Sequence, residues 1–581
     1  MVDQQAALGV ATTRAEERIL ASLGKLQAAP IRFEPATDVP RGGVLCALPA
    51  LLALGLLRHS AAYFTWLPGY YPLETIFLAI AVLALARVPS LEALRYEPPG
   101  EWGRLLGLDR IPEVRTLRDK LRGLCQAGEK VRAWSSTLAQ EWMAAAPESA
   151  GTLYVDGHVR VYHGQLTQLP RRYVARQRLC LRGTTDYWVN AMDGQPFFVV
   201  TQAADPGLLQ TLETEIIPRL LAEVPGQPTE AELTADRWRA RFTLVCDRAV
   251  YSPEFMKRLW QKHRIAVITY HKFPGEPWPA EEFTVRPVRL VSGEVVELPL
   301  AERGVRLSND FWVREVRQLE ASGHQVAMLA TDYRRVLDGV AVGLFARWCQ
   351  ENFFQYMGRH YGLDKLVEYG TEPLPETTTV VNPAWRRLDQ AVRRERAQLQ
   401  RSRAQFGALS PPASAEPEAV ARYEQQQGRL LEQMGQQQRR LDELKAQRKE
   451  APRHLTLKEL PEAERFAQLR TSTKHFVDTI KLIAYRAETA LVQVLREKLQ
   501  RTEDARALVR QVFSSAVDLC PDPEQRTLTV RLHRLSSAIH DAALEHLCAE
   551  LTATETVFPG TELRLIFEPV GSTSLPRDQD P

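Results

Sequence analysis

The sequence predicts a multidomain α/β protein, and three features carry that reading. Residues 43–147 keep helical spacing throughout, the apolar period switches to two at Gly151, and a 3/4 spacing takes over beyond Pro383. With 581 residues, roughly three to four domains are expected. The boundaries fall into four segments: a helical 1–150; a mixed domain 151–383 with a β-rich insertion at 276–326; an antiparallel helical hairpin at 384–448; and a helical and small α/β region at 449–581.

The hydrophobic content of 45% allows a real core. The 74 basic and 71 acidic residues nearly cancel, so local charge carries more information than the net +3. Seven scattered cysteines without a CxxC pair argue against a zinc knuckle and a disulfide framework, and point to a reducing cytoplasm. The N-terminal stretch MVDQQAALGVATTRAEERIL lacks a signal-peptide pattern. GGVLCALPALLALGLL contains Pro49, and YYPLETIFLAIAVLALARV is interrupted by Glu74. Both fall short of the ~20 apolar residues that span a bilayer, so buried helices are expected and no membrane partner.

In the helical segment, LGLDRIPEVRTLRDKLRGL (Leu106 to Leu124) reads as a short helix, a turn at Asp109 to Pro112, and a second helix carrying Arg115, Arg118, Lys120 and Arg122. Pro112 suits the first turn of that helix. Such a unit can read DNA; the plainer reading is a solvated basic face.

From Gly151, LYVDGHVRVY alternates Leu153, Val155, Val159 and Val161 with Tyr154, Asp156, His158 and Arg160, the pattern of a half-buried strand. LRGTTDYWVN and QPFFVVTQ follow as strands, then a helix over 207–224, the strand FTLVCD, a helix opening at Ser252-Pro253-Glu254, and the strand IAVITY. Three antiparallel strands followed by helix-linked parallel ones is the layout of an RNase H-like domain. FTVRPVRLV, VVELPLA and QVAMLATDY form the β-rich insertion.

Beyond Pro383, Trp385, Leu388, Val392, Leu399, Phe406 and Leu409 keep 3/4 spacing, and Val420, Tyr423, Leu430, Met434, Leu441 and Leu444 resume it after SPPASAEP. That is the signature of an antiparallel coiled-coil hairpin. RTLTVRLHRL, a helix near 537–552 and ELRLIFEPV complete a small α/β unit.

Three acids stand at telling places. Asp156 lies midway along the first strand, Asp247 ends the fourth, and Glu351 lies on a helix after the fifth. Singly, each has an ordinary explanation: a solvated face, a helix cap, and an ion pair between Arg347 and Glu351. Leu344, Phe345, Trp348, Asn352 and Phe353 form the apolar stripe of that last helix. Jointly, in this strand order, the acids can meet. Clustered carboxylates repel one another and are credible as a site for hard divalent ions. Two such ions about 3.5–4 Å apart activate the nucleophile and stabilise the leaving oxygen in phosphodiester cleavage.

The segments YVDGH, LVCDRAVYSPEF and FARWCQENFFQYM resemble the three motif regions of bacterial insertion-sequence DDE transposases, RNase H-like enzymes of the retroviral integrase superfamily. The subgroup with a β-rich insertion carries Tyr-x₂-Arg-x₃-Glu-x₆-Lys. Here Arg347-x₃-Glu351 matches, Leu344 stands at the Tyr position, and Gly358 at the Lys position with Arg359 next to it. Ala249 follows Asp247-Arg248, where Gly is common. LGLDRIPEVRTLR also resembles an N-terminal element of these enzymes. The catalytic resemblance covers Gly151 to Gly370.

The resemblance implies a nuclease and strand transferase using two Mg²⁺ or Mn²⁺ ions held by Asp156, Asp247 and Glu351. Arg347 would contact phosphate or orient Glu351. It implies double-stranded DNA partners (element terminal repeats and target DNA), a homodimer, and a nucleoid-associated place in a bacterial cytoplasm. The departures at Leu344, Gly358 and Ala249 motivate an alternative, a catalytically inactive DNA-binding or assembly protein.

Further DNA contacts are expected from RRYVARQRLCLR, which carries Arg171, Arg172, Arg176 and Arg178, and from Lys272 beside His271. His158 and His163 lie near Asp156 and read as structural; Trp188, Phe197 and Phe198 read as sheet core.

Overall fold

The computed structural model describes residues 13–571 except 66–67, 165–168, 175–176, 178, 203–205, 366, 368, 412–415, 463–464, 500–501 and 536. The four expected segments are distributed over two compact units. One takes in Met1–His163, Arg171–Gly370 and Leu469–Pro581; the other takes in Gly164–Pro170 and Thr371–Gln468.

In the first unit, the strand β1 (Ala36–Val39) and a run of helices precede a ten-stranded mixed sheet. Its strands are β2 (Thr152–Val161), β3 (Arg171–Val174), β4 (Leu179–Asn190), β5 (Pro196–Gln202), β6 (Thr243–Cys246), β7 (Ala266–Tyr270), β8 (Thr284–Arg289), β9 (Val295–Arg306), β10 (Trp312–Leu319) and β11 (Gln325–Ala330). β2, β4 and β5 pair antiparallel, whereas β6 joins β2 and β7 joins β6 in parallel. β11 then pairs antiparallel with β7, and β10, β9 and β8 continue outward as a meander, so the insertion extends the same sheet.

Two expectations need correcting here. β2 is not half-buried: Tyr154, His158 and Arg160, expected on a solvent face, are buried, because helices pack on both faces of a central strand. β10 was not legible as a strand, because Arg314, Glu315 and Arg317 interrupt its apolar pattern. All three are buried, and Arg317 Nε donates to Glu315 Oε1 at 2.7 Å.

The apolar N-terminal segments are buried helices. The helix Leu73–Leu85 exposes little besides Glu74, and no described helix is long and apolar enough to cross a membrane. Arg118 and its neighbours sit on the helix Val114–Leu124, whose N-cap is Glu113. Pro112 thus stands just before the helix and not in its first turn.

The helix Ser472–Arg496 lies in the same core, against Leu73–Leu85, Gly128–Ala145 and β5. Near the C-terminus, Thr527–Leu532 and Arg564–Pro569 pair beside the helix Ala538–Ala553, as expected, and two strands the sequence did not show, Val517–Asp522 and the edge strand β1, extend the sheet.

In the second unit, the helices Pro383–Gly407 and Pro417–Glu450 run in opposite directions, with Asp389 bonded to Arg448 at 2.6 Å and Gln438 to Arg403 at 3.3 Å. Val392, Leu399 and Leu441 are buried between them, with Met434 and Leu444 alongside. Thr379–Val381 and His454–Thr456 pair at their base.

Candidate active site

β2 and β6 run parallel with Val155 opposite Cys246, so the next residues, Asp156 and Asp247, leave adjacent strands side by side. Asp247 opens the 3₁₀ turn Arg248–Val250, but its side chain makes no capping hydrogen bond. Its backbone carbonyl accepts from Thr269 Oγ1 of β7 at 3.0 Å, fixing the strand end.

Glu351 lies half-buried on the helix Arg347–His360. Its neighbour Gln350, only 2% exposed, sets that helix against the sheet. Gln350 Nε2 reaches Asn190 Oδ1 at 2.9 Å and the carbonyls of Trp188 and Tyr154 at 3.1 and 3.3 Å. Phe353 packs on Trp188 with ring centroids 5.4 Å apart. The buried face is therefore Gln350, Phe353, Phe354 and Met357, and Trp348 is 62% exposed. Leu344 and Phe345 belong to a separate helix, Leu337–Phe345. The break at Ala346 turns the expected stripe, so spacing counted through it misplaces Trp348.

Arg347 does not pair with Glu351. Its guanidinium is buried, and Nη2 lies 3.4 Å from Asp156 Oδ2. Burial pushes the Asp156 carboxyl up from its ordinary value, and the negative charges of Asp247 and Glu351 push it further. Arg347 and the Gly157 N–H, 2.7 Å from Asp156 Oδ1, oppose them. Among the described residues, a group of three acids or histidines with all ligand atoms within 4.8 Å of one another occurs at Asp38, Asp518 and His533. Asp156, Asp247 and Glu351 do not form such a tight group. Asp38 is 80% exposed on its side chain, and its group reads as ion pairs to His533.

Around the acids, His158 Nε2 bonds Asp364 Oδ1 at 2.6 Å and stacks on Phe354, a structural role. His163 is exposed. Trp188, Phe197 and Phe198 are fully buried in the sheet core. Buried His271 places Nδ1 3.3 Å from Glu315 Oε2, while Lys272 is exposed over the Phe273 ring. Arg171 is exposed and Arg172 half-buried on β3, which pairs with β4. Arg176 and Arg178 lie outside the described residues. On the helix Val114–Leu124, Arg115 is exposed, Arg118 pairs with Glu92 at 2.6 Å and Arg122 with Asp119 at 2.9 Å. Lys120 donates to the Pro68 carbonyl at 2.9 Å, and burial lowers its pKa, so it faces the protein.

Sequence reasoning missed Glu488, at 0% exposure on the helix Ser472–Arg496. Its carboxylate accepts from Tyr356 Oη and from Tyr361 Oη at 2.5 Å, and Arg87 Nη2 lies 2.8 Å away. Tyr356 sits on the Glu351 helix and Tyr361 caps its end. Nothing in ETALVQ distinguishes this glutamate from a surface one.

No curated protein and no solved structure gives a match to this chain. A family model described as "Transposase protein" matches residues 9–571, almost the whole chain, and takes in both the strand aspartates and the Glu351 helix. The chain therefore belongs to this transposase family.

Proposed function

We propose that this transposase is a DDE enzyme with an RNase H-like core, which cuts DNA at element ends and joins the freed 3′-hydroxyl to target DNA. The observation that carries the reading is the β2–β6 register, which sets Asp156 beside Asp247. The strand order β5-β4-β2-β6-β7, antiparallel and then parallel, supports the core assignment.

The donor set suits hard cations. Three carboxylates supply only oxygen ligands, and a bound cation would relieve the burial and repulsion that raise Asp156. Two Mg²⁺ or Mn²⁺ ions held by Asp156, Asp247 and Glu351 would activate the attacking oxygen and stabilise the leaving one. Gln350 and Phe353 hold Glu351 toward the strands. Arg347 keeps Asp156 partly neutralised in the free protein and stands ready for a phosphate once that carboxylate has another partner. The reading extends to a homodimer that brings two DNA ends together, with the 384–448 hairpin as the pairing element. Removing those residues should halve the mass seen by light scattering; an unchanged mass would exclude the hairpin from that role.

The test of the chemistry is nicking of duplex DNA carrying the gene's flanking sequences, with Mn²⁺. Asp247→Asn, Asp156→Asn and Glu351→Gln should each lower the rate at least about 10²-fold and leave DNA binding in EDTA unchanged. Wild-type cleavage by Asp247→Asn would refute the assignment.

A further inference from the structure

A cleft of about 280 Å³ opens beside the helix Val114–Leu124. Its wall carries Arg118, Arg122, Arg470, Tyr369 and Thr473. Three guanidinia line one small space, and no lining residue is acidic. Arg118 and Arg122 come from one helix; Arg470 arrives from a segment about 350 residues later, held in place by its backbone N–H on the Gly370 carbonyl at 2.9 Å. Glu92 and Asp119 compensate Arg118 and Arg122. Arg470 is exposed and has no acidic partner among the described residues.

Like charges brought to one concave site repel unless an anion joins them. Guanidinium forks match the paired oxygens of a phosphodiester. The exposed Tyr369 hydroxyl adds a neutral donor at the rim. The cleft is open to solvent on its Arg122 and Arg470 side, as a ligand that remains part of a long polymer requires.

We propose that this cleft takes a backbone phosphate of double-stranded DNA. Arg470, from the far end of the chain, and Arg122 grip it, and Arg118 closes the inner wall. The assignment rests on the family's use of DNA but not on the carboxylate chemistry. It also sharpens the basic-helix reading: Arg118 and Arg122 act with a residue outside that helix, whereas Lys120 points away.

Phosphate contacts are blind to sequence, so the test needs no knowledge of the element ends. Anisotropy of a labelled random duplex is titrated with full-length protein in EDTA at several KCl concentrations. One lost phosphate contact lowers the slope of log K against log[KCl] by about 0.9. Arg470→Ala should show that loss with an unchanged melting temperature, and Arg470→Lys should retain most of the slope. Arg122→Ala/Arg470→Ala should lose about the same amount, because one phosphate is shared. Arg306→Ala, on the exposed Arg306–Asp310 pair, should leave the slope unchanged. A wild-type slope in Arg470→Ala, or an equal loss in Arg306→Ala, overturns the proposal. Calorimetry with inorganic phosphate provides the second arm. Phosphate binding that Arg470→Ala abolishes while the DNA slope stays intact would assign the cleft to a free anion and also overturn it. Failure of the carboxylate assignment has a separate signature, since Asp247→Asn would then cut DNA whatever the slopes.

Discussion

Arg347 Nη2 stands 3.4 Å from Asp156 Oδ2, linking a helix to a strand across 191 residues of sequence. The guanidinium opposes the burial and the negative charges of Asp247 and Glu351 that push this acid up. Arg347→Ala leaves that acid without its cation. The metal-free protein should lose about 1–3 kcal/mol of stability at pH 7.5, read by urea denaturation in EDTA. Added Mn²⁺ should restore part of the loss. A variant as stable as wild type would mean the contact is incidental.

The raised pKa of Asp156 has a stability consequence of definite sign. A carboxyl whose folded pKa lies above its unfolded value favours the fold fully below the unfolded value, near 3.9, and that contribution is lost as pH rises through the folded one. At pH 7.5 the ionised form therefore strains the fold. Asp156→Asn should melt higher than wild type at pH 7.5 in EDTA, and the gap should close toward pH 4. A lower melting temperature at neutral pH would show that the Arg347 contact outweighs burial.

Gln350 touches three partners, and among the described residues no other side chain donates to them. Gln350→Ala should cost about 1–3 kcal/mol, because buried carbonyls and Asn190 lose a donor. On the proposed function, nicking should fall further than the fraction unfolded explains, since Glu351 is the next residue. Denaturation and nicking measured on one preparation separate the two effects.

Glu488 ties three segments at one buried point. Burial pushes its carboxyl up, but the Arg87 and Arg506 guanidinia and the tyrosine hydroxyls of Tyr356 and Tyr361 hold it below its ordinary range. Its stabilisation is therefore present above the unfolded value, about 4.3, and is lost as pH falls through the lower folded value. Glu488→Leu should cost about 3–5 kcal/mol, because Tyr361 loses a buried acceptor and the half-buried Arg87 its carboxylate. Glu488→Gln, which still accepts a hydroxyl, should recover part of that. Guanidinium denaturation between pH 3.5 and 7 checks both; a pH profile identical to wild type in Glu488→Leu would sink the account.

The sequence was most informative where chemistry and period coincide. The alternation around Asp156, the apolar run ending at Asp247 and the capping signal at Ser252 each correspond to an element that places an acid or supports its strand. β10 and the buried role of Glu488 escaped for a shared reason. Both involve buried charged side chains, and hydrophobic periodicity reads a buried, paired arginine or glutamate as a surface residue. The Arg347 partner was hidden differently: i,i+4 spacing offered Glu351 locally, while the sheet offered Asp156 from afar. β1 was invisible because four residues carry too little pattern, and its partner lies near the other end of the chain.

The helix Ser472–Arg496 has a consequence for how a newly made chain acquires competence. A ribosome releases Asp156, Asp247 and Glu351 long before Tyr485 and Glu488, yet Phe353 rests on Tyr485 and the Glu351 helix is tied to Glu488. Until that late helix emerges, the earlier helix lacks its rear support. Prematurely ended products that stop before residue 472 retain all three acids but not the scaffold that aims them. On the proposed function, interrupted synthesis therefore yields chains poorly equipped to break DNA.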